Sequence, residues 1–147
     1  LLAAHGDLVV VWPLHPNPAV SQAVRPVIDA LPDDLRQRVC LTEPMDYPAL
    51  ISLLQRCYFT LTDSGGIQEE ASALRRPVLI ARDSTERQEL VEAGGAVLVG
   101  TDIRRMVTEA ARLLRDDGAY RSMQLESSPF GDGHTAQHIA DRLCTVD

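Results

Sequence analysis

Five short apolar runs recur along this chain, each leading into a loop and then a segment of different period. They are "DLVVVW" (7–12), "RVCLT" (38–42), "CYFTLT" (57–62), "RPVLIA" (76–81) and "AVLVG" (96–100). Runs this short, rich in valine, leucine and isoleucine, suit strands buried on both faces. Between them lie "AVSQAVRPVIDAL" (19–31), "ALISLLQRC" (49–57), "GIQEEASAL" (66–74) and "QELVEAG" (88–94), which have helical character. Pro26 is expected to kink or shorten the first of these, and Gly94 and Gly95 to stop the last. Strands separated by helices pair in parallel, because a tight turn cannot join parallel neighbours. Right-handed crossovers then predict an α/β fold, a three-layer Rossmann-like doubly wound parallel sheet.

The rest of the chain is helical in pattern. In "TDIRRMVTEAARLLRDD" (101–117), Ile103, Met106, Val107, Ala110, Leu113 and Leu114 make one apolar stripe behind a Thr101 or Asp102 cap. "GAYRSMQLESS" (118–128) reads as a further helix, "PFGDGH" (129–134) as a glycine-rich loop, and "TAQHIADRLC" (135–144) as the last helix. No repeat, low-complexity tract or linker divides the chain, so residues 1–147 read as a single domain. It begins at Leu1, in what resembles the last turn of a helix, and is expected to be the back part of something longer.

A net charge of −7 argues against a nucleic-acid-binding surface. No apolar run is long enough to span a membrane, so no membrane partner is expected. Cys40, Cys57 and Cys144 are widely spaced and form no CxxC pair, which suggests neither a disulfide framework nor a zinc site. A reducing, cytoplasmic setting follows as the simpler expectation. His134 and His138 stand four apart, a spacing that can hold a metal, but they lack the glutamate of HExxH. They read as exposed histidines, and no metal is expected.

In doubly wound sheets, ligands bind outside the carboxyl ends of the strands. The loops there are 13–18, 43–48, 63–66, 82–87 and 100–102. Asp63-Ser64-Gly65-Gly66 joins a strand to a helix. The first turn of a helix presents unpaired N–H groups and partial positive charge. Two residues without side chains let a phosphate approach that turn closely. Ser64 can cap the helix or meet a phosphate oxygen. Glu70 lies one turn beyond Gly66 on the same face, where a carboxylate can accept from two ribose hydroxyls. Equally, Ser64 can be a plain cap, with Glu69 and Glu70 complementing the helix dipole. Spacing leaves both readings open. The pattern is neither a Walker loop nor GxGxxG, which argues against an ATPase or a standard NAD domain.

"LTDSGGIQEEA", "RPVLIARDSTERQELVEAG", "LVGTD" and "PFGDG" together resemble the carboxyl-terminal domain of the non-hydrolysing UDP-N-acetylglucosamine 2-epimerases. These are bacterial enzymes of the GT-B architecture, and the resemblance runs from the first strand to the last helix. It implies that Ser64, Gly65 and Gly66 hold the UDP diphosphate and that Glu70 binds the ribose hydroxyls. It implies a uracil pocket at 43–50, with Leu50 where phenylalanine is common. His15 of "HPNP" matches a cleft histidine. Arg82, Thr85, Glu86 and Arg87 match a loop facing the sugar diphosphate. Departures from the family pattern include Ser72 for proline, Arg75 for glycine, Gln88 for proline, Gly95 for threonine and Phe130 for tyrosine.

The family reaction interconverts UDP-GlcNAc and UDP-ManNAc by eliminating UDP and adding it back, for cell-surface polysaccharide synthesis. It implies a UDP-sugar substrate, no cofactor and a homodimer at full length. The proton-transfer groups and the histidine of "GHRREN" lie in the amino-terminal domain or just before this chain's start. The resemblance therefore places no catalytic residue in this chain, which is expected to be inactive alone. Two other functions fit the same features: the nucleotide-sugar domain of another GT-B glycosyltransferase, and a non-catalytic UDP-sugar sensor. The lone domain is also expected to expose apolar surface that the missing half would cover.

Overall fold

The computed structural model describes residues 1–145. Its elements are β1 (Val10–Pro13), α1 (Pro18–Asp29), α2 (Asp33–Arg36), β2 (Val39–Thr42), α3 (Tyr47–Arg56) and β3 (Thr60–Thr62). They continue with α4 (Gly65–Ala73), β4 (Val78–Ile80), α5 (Gln88–Glu92), β5 (Ala96–Leu98), α6 (Ile103–Arg115), α7 (Asp117–Ser122) and α8 (Thr135–Cys144). Every strand pair is parallel, as strand–helix alternation requires, and the fold class is α/β. The chain divides into two compact units, Leu1–Ser52 and Leu53 onward.

In the first unit β1 pairs with β2, from Val10 opposite Val39 to Pro13 opposite Thr42. Arg38 ties the leading segment to this pair by donating to the Leu2 carbonyl at 2.7 Å and the His5 carbonyl at 2.6 Å. Asn17 caps α1, its Oδ1 accepting from the Ala19 N–H at 3.0 Å, with Pro18 at the first helical position. The helix runs through Pro26 to Asp29. The proline forfeits the bond to the Gln22 carbonyl, and Gln22 is exposed, so water can take that carbonyl. Helix α2 has no counterpart in the sequence reading. Its signal is Pro32 followed by Asp33 and Asp34 in the first turn, with Arg36 pairing back to Asp33 at 2.5 Å.

The second unit holds the three-stranded sheet β3-β4-β5, with Thr60–Thr62 beside Val78–Ile80 and those beside Ala96–Leu98. Central β4 is fully buried. Leu79 and Val99 pack with Ala110 and Leu113 of α6 and with Met123, flanked by Phe59, Val97 and Met106. Ala110, Leu113 and Met106 all come from the predicted stripe of α6, whereas Ile103 and Val107 are exposed. Gly95 lies where a Cβ would come within 2.8 Å of both Leu90 and Leu125, so its smallness serves packing.

Helix α7 stops at Ser122, short of the expected 128. Arg75 donates to the Glu126 carbonyl at 2.9 Å, and Gln124 donates to the Arg75 carbonyl. These bonds tie the segment after α7 to the end of α4 and compete with continued helix. Arg75 itself follows α4 with φ of 56°. The Arg75 N–H donates to the Ser72 carbonyl and the Arg76 N–H to the Ala71 carbonyl, a Schellman closure. Tyr58 and Tyr120 stack at 3.9 Å, and the Tyr120 hydroxyl donates to the Tyr58 carbonyl. Burial, then the neighbouring Tyr120 and Asp117, raise the Tyr58 hydroxyl above its ordinary value.

Candidate functional site

Strand β3 delivers the chain to the turn at 63–66. Thr62, buried at its end, accepts the Ser64 N–H on Oγ1 at 3.0 Å, which fixes the chain's exit from the sheet. Ser64 then sits at the N-cap of α4 with extended backbone, φ −83° and ψ 126°. Its side chain makes no capping bond. The first bond into the helix is from Gln68 N–H to the Ser64 carbonyl, at 3.2 Å. The N–H groups of Gly65, Gly66 and Ile67 precede it and have no acceptor among the described residues.

Neither glycine is needed for a left-handed turn, since the glycines with positive φ are Gly94, Gly100, Gly131 and Gly133. Their smallness does different work. At Gly66 an added Cβ would meet nothing within 4 Å, so the backbone there faces open space. At Gly65 an added Cβ would lie 3.3 Å from Cζ and 3.5 Å from Nη2 of Arg87. The guanidinium therefore lies over the turn, close to the space a side chain would take.

Arg87 is held there from two sides. Nε donates to Oε1 of Glu69 at 2.7 Å, and Nη1 to Oε2 of Glu86 at 3.0 Å. The loop that carries Arg87 is anchored beneath. The Thr85 hydroxyl accepts the Arg87 N–H at 3.1 Å and donates to Oε1 of Gln68 at 2.8 Å. Gln68 is fully buried and Thr85 nearly so. Buried polar bonds of this kind fix geometry, because breaking one strands a desolvated group.

Glu70 is half-buried on α4, one turn past Gly66. Arg82 is exposed and makes no hydrogen bond or ion pair among the described residues. Glu86 is exposed apart from its bond to Arg87. His15 and Leu50 belong to the first unit. His15 is exposed, with Nδ1 accepting the Asn17 N–H at 3.1 Å. Leu50 is half-buried on α3, which Asp46 caps through the Ala49 N–H at 2.9 Å. His138 lies 3.9 Å from Asp132, both exposed.

Sequence reasoning missed two residues of the turn, Gln68 and Glu69. The sequence offers Glu69 only as a possible complement to the helix dipole, whereas its carboxylate grips an arginine eighteen positions away. Nothing local signals that pairing. Electrostatically, the positive end of α4 and a cation repel each other, and Glu69 and Glu86 balance the cation. The ensemble offers an anion three backbone donors, a serine hydroxyl without a partner among the described residues, and a guanidinium edge.

The family model for UDP-N-acetylglucosamine 2-epimerase matches residues 1–144. A UDP-N-acetylglucosamine 2-epimerase of Yersinia pestis is 42% identical over 139 residues, covering 95% of this chain and 36% of that protein. The Neisseria meningitidis UDP-GlcNAc 2-epimerase structure bound to UDP-GlcNAc superposes with a TM-score of 0.88 at 32% identity. That match covers 99% of this chain and 38% of the other. An S. aureus MnaA structure with UDP gives 0.87 at 37% identity, covering 97% and 38% respectively. The chain thus spans little more than a third of the relatives it matches. The match over nearly every residue gives the signature at 58–71 its context: this chain belongs to the UDP-N-acetylglucosamine 2-epimerase family.

Proposed function

We propose that residues 1–147 form a single UDP-holding domain of a UDP-N-acetylglucosamine 2-epimerase. The observation that carries this reading is the open first turn of α4, with three unpartnered N–H groups beneath an anchored guanidinium. A diphosphate meets those donors through Gly66, with the Ser64 hydroxyl and Arg87 at its flanks. Glu70 accepts from the ribose hydroxyls. The relatives solved with UDP or UDP-GlcNAc support the ligand class.

In the whole enzyme the sugar loses its carbon-2 proton to a base while the carbon-1 to oxygen bond breaks. The electron pair leaves with UDP, and a carbon-1 to carbon-2 double bond forms. UDP then adds back as a proton reaches carbon 2 from the opposite face, interconverting UDP-GlcNAc and UDP-ManNAc. Charge grows on the diphosphate oxygen as it departs, and fixed donors already aimed there lower that barrier. Loss of one such donor is expected to raise it by roughly 3 kcal/mol. The proton-transfer groups belong to the remainder of the enzyme, which acts as a cytoplasmic homodimeric isomerase feeding cell-surface polysaccharide synthesis.

Calorimetric titration of the chain with UDP, with UMP and NAD as controls, tests the reading. UDP binding well above UMP, weakened in Glu70→Ala, is the expected result. A folded chain that binds UDP no better than UMP would refute the diphosphate cradle.

A further inference from the structure

We propose that Glu69 is a positioning residue for the diphosphate: it registers the Arg87 guanidinium over the Gly65 turn. The proposal rests on the UDP-holding reading and adds a residue to it. Arg87 has two carboxylate partners, and they are not equivalent. Glu86 is its neighbour in sequence and 78% exposed, so it travels with the loop and cannot fix Arg87 relative to the helix. Glu69 stands on α4, the helix that carries the open turn, with the arginine side chain 30% exposed against it. Its bond to Nε, at 2.7 Å, is therefore the side-chain link between the guanidinium and the turn it serves.

The direction of that link matters. A guanidinium presents five N–H donors in one rigid plane. Glu69 takes the Nε donor and Glu86 takes one on Nη1. That leaves Nη2 over Gly65, with no acceptor among the described residues. An arginine left to itself would turn away from the positive helix end, because the dipole repels it. Holding it there in advance removes the ordering cost from the binding step. The Gln68–Thr85 bond supports the same placement from below, fixing the backbone on which Arg87 rides.

The test is UDP and UMP titration of the chain and of Glu69→Gln, Glu69→Ala, Arg87→Ala and the Glu69→Ala/Arg87→Ala double variant. Melting of each variant is followed in parallel. Glu69→Ala is expected to weaken UDP about tenfold, the scale of one immobilised side chain. UMP affinity should stay nearly constant in that variant. Glu69→Gln keeps an acceptor for Nε and should restore most of the loss. In the Arg87→Ala background, Glu69→Ala should have almost no further effect. Tighter UDP binding by Glu69→Ala would overturn the proposal and make Glu69 a competitor for the arginine. Equal loss for UDP and UMP, or additive losses in the double variant, would also overturn it. Failure of the unaltered chain to prefer UDP would instead sink the UDP-holding reading, and this inference with it.

Discussion

Helices α4 and α6 both begin just beyond the carboxyl end of a strand, β3 and β5 respectively, and their first turns are built in opposite ways. At α6 the Asp102 carboxylate accepts from the N–H of Arg104 at 2.8 Å and of Arg105 at 3.3 Å. That turn carries its own anion. At α4 the Ser64 hydroxyl makes no such bond, and a cation is drawn over the turn. A helix start on its own is thus no evidence of a ligand, since most are closed by the residue before them. The α4 start differs in being left open by its cap residue, with the Arg87 guanidinium beside its first turn.

Converting one start into the other gives the largest expected effect. Gly66→Asp places a carboxylate in the open first turn of α4. UDP affinity is expected to fall at least a hundredfold, about 2.7 kcal/mol. The melting temperature should hold or rise slightly, because an acid near a helix start is stabilising by about 0.3–1 kcal/mol. A parallel loss of stability and binding would mean that the turn is merely structural.

The reciprocal change acts on stability alone. Asp102→Ala uncaps α6 and should cost about 1 kcal/mol in denaturant titration, with UDP binding unchanged. Any loss of UDP affinity there would erase the contrast between the two starts. Gly65→Ala is milder. The new methyl meets Arg87 at 3.3 Å and must shift it by a few tenths of an ångström. A loss of UDP affinity of about threefold is expected, near 0.6 kcal/mol, while UMP stays level. No change would show that the guanidinium's seat over Gly65 is unimportant.

The smallest effect lies at the other end of α4. Arg75 stands in the left-handed position where a Schellman closure favours glycine. Arg75→Gly should relieve about 1 kcal/mol of backbone strain. Part of that gain is offset by glycine's greater unfolded freedom and by the lost bond to Glu126. A rise in melting temperature of a degree or two, with UDP binding unaltered, is expected.

The strands were legible because each carries its own signal, a short apolar run bounded by polar loops. The stripe of α6 was legible for the same reason, as its period shows within one segment. The early end of α7 reflects distant residues, whereas α2 escapes the sequence reading although Pro32, Asp33 and Asp34 signal it locally. Helix α7 ends early because residues 124–126 bond to Arg75, about fifty positions back. The choice of Ser64, Gly65, Gly66 and Glu70 as site candidates was also a local reading, since a strand, two glycines and a helix are contiguous in the chain.

By itself, then, the sequence determined the α/β class, the order of the strands and of every helix but α2, and the one turn short of side chains. Tertiary structure decided what surrounds that stretch of bare backbone. It showed that neither Gly65 nor Gly66 needs positive φ, that Arg87 lies over the first, and that open space faces the second. It also paired Glu69 with Arg87 and Gln68 with Thr85, each across seventeen or eighteen positions. Propensity and periodicity act within a few residues of the chain. A hydrogen bond between a helix and a loop exists only after the sheet has brought the two side by side.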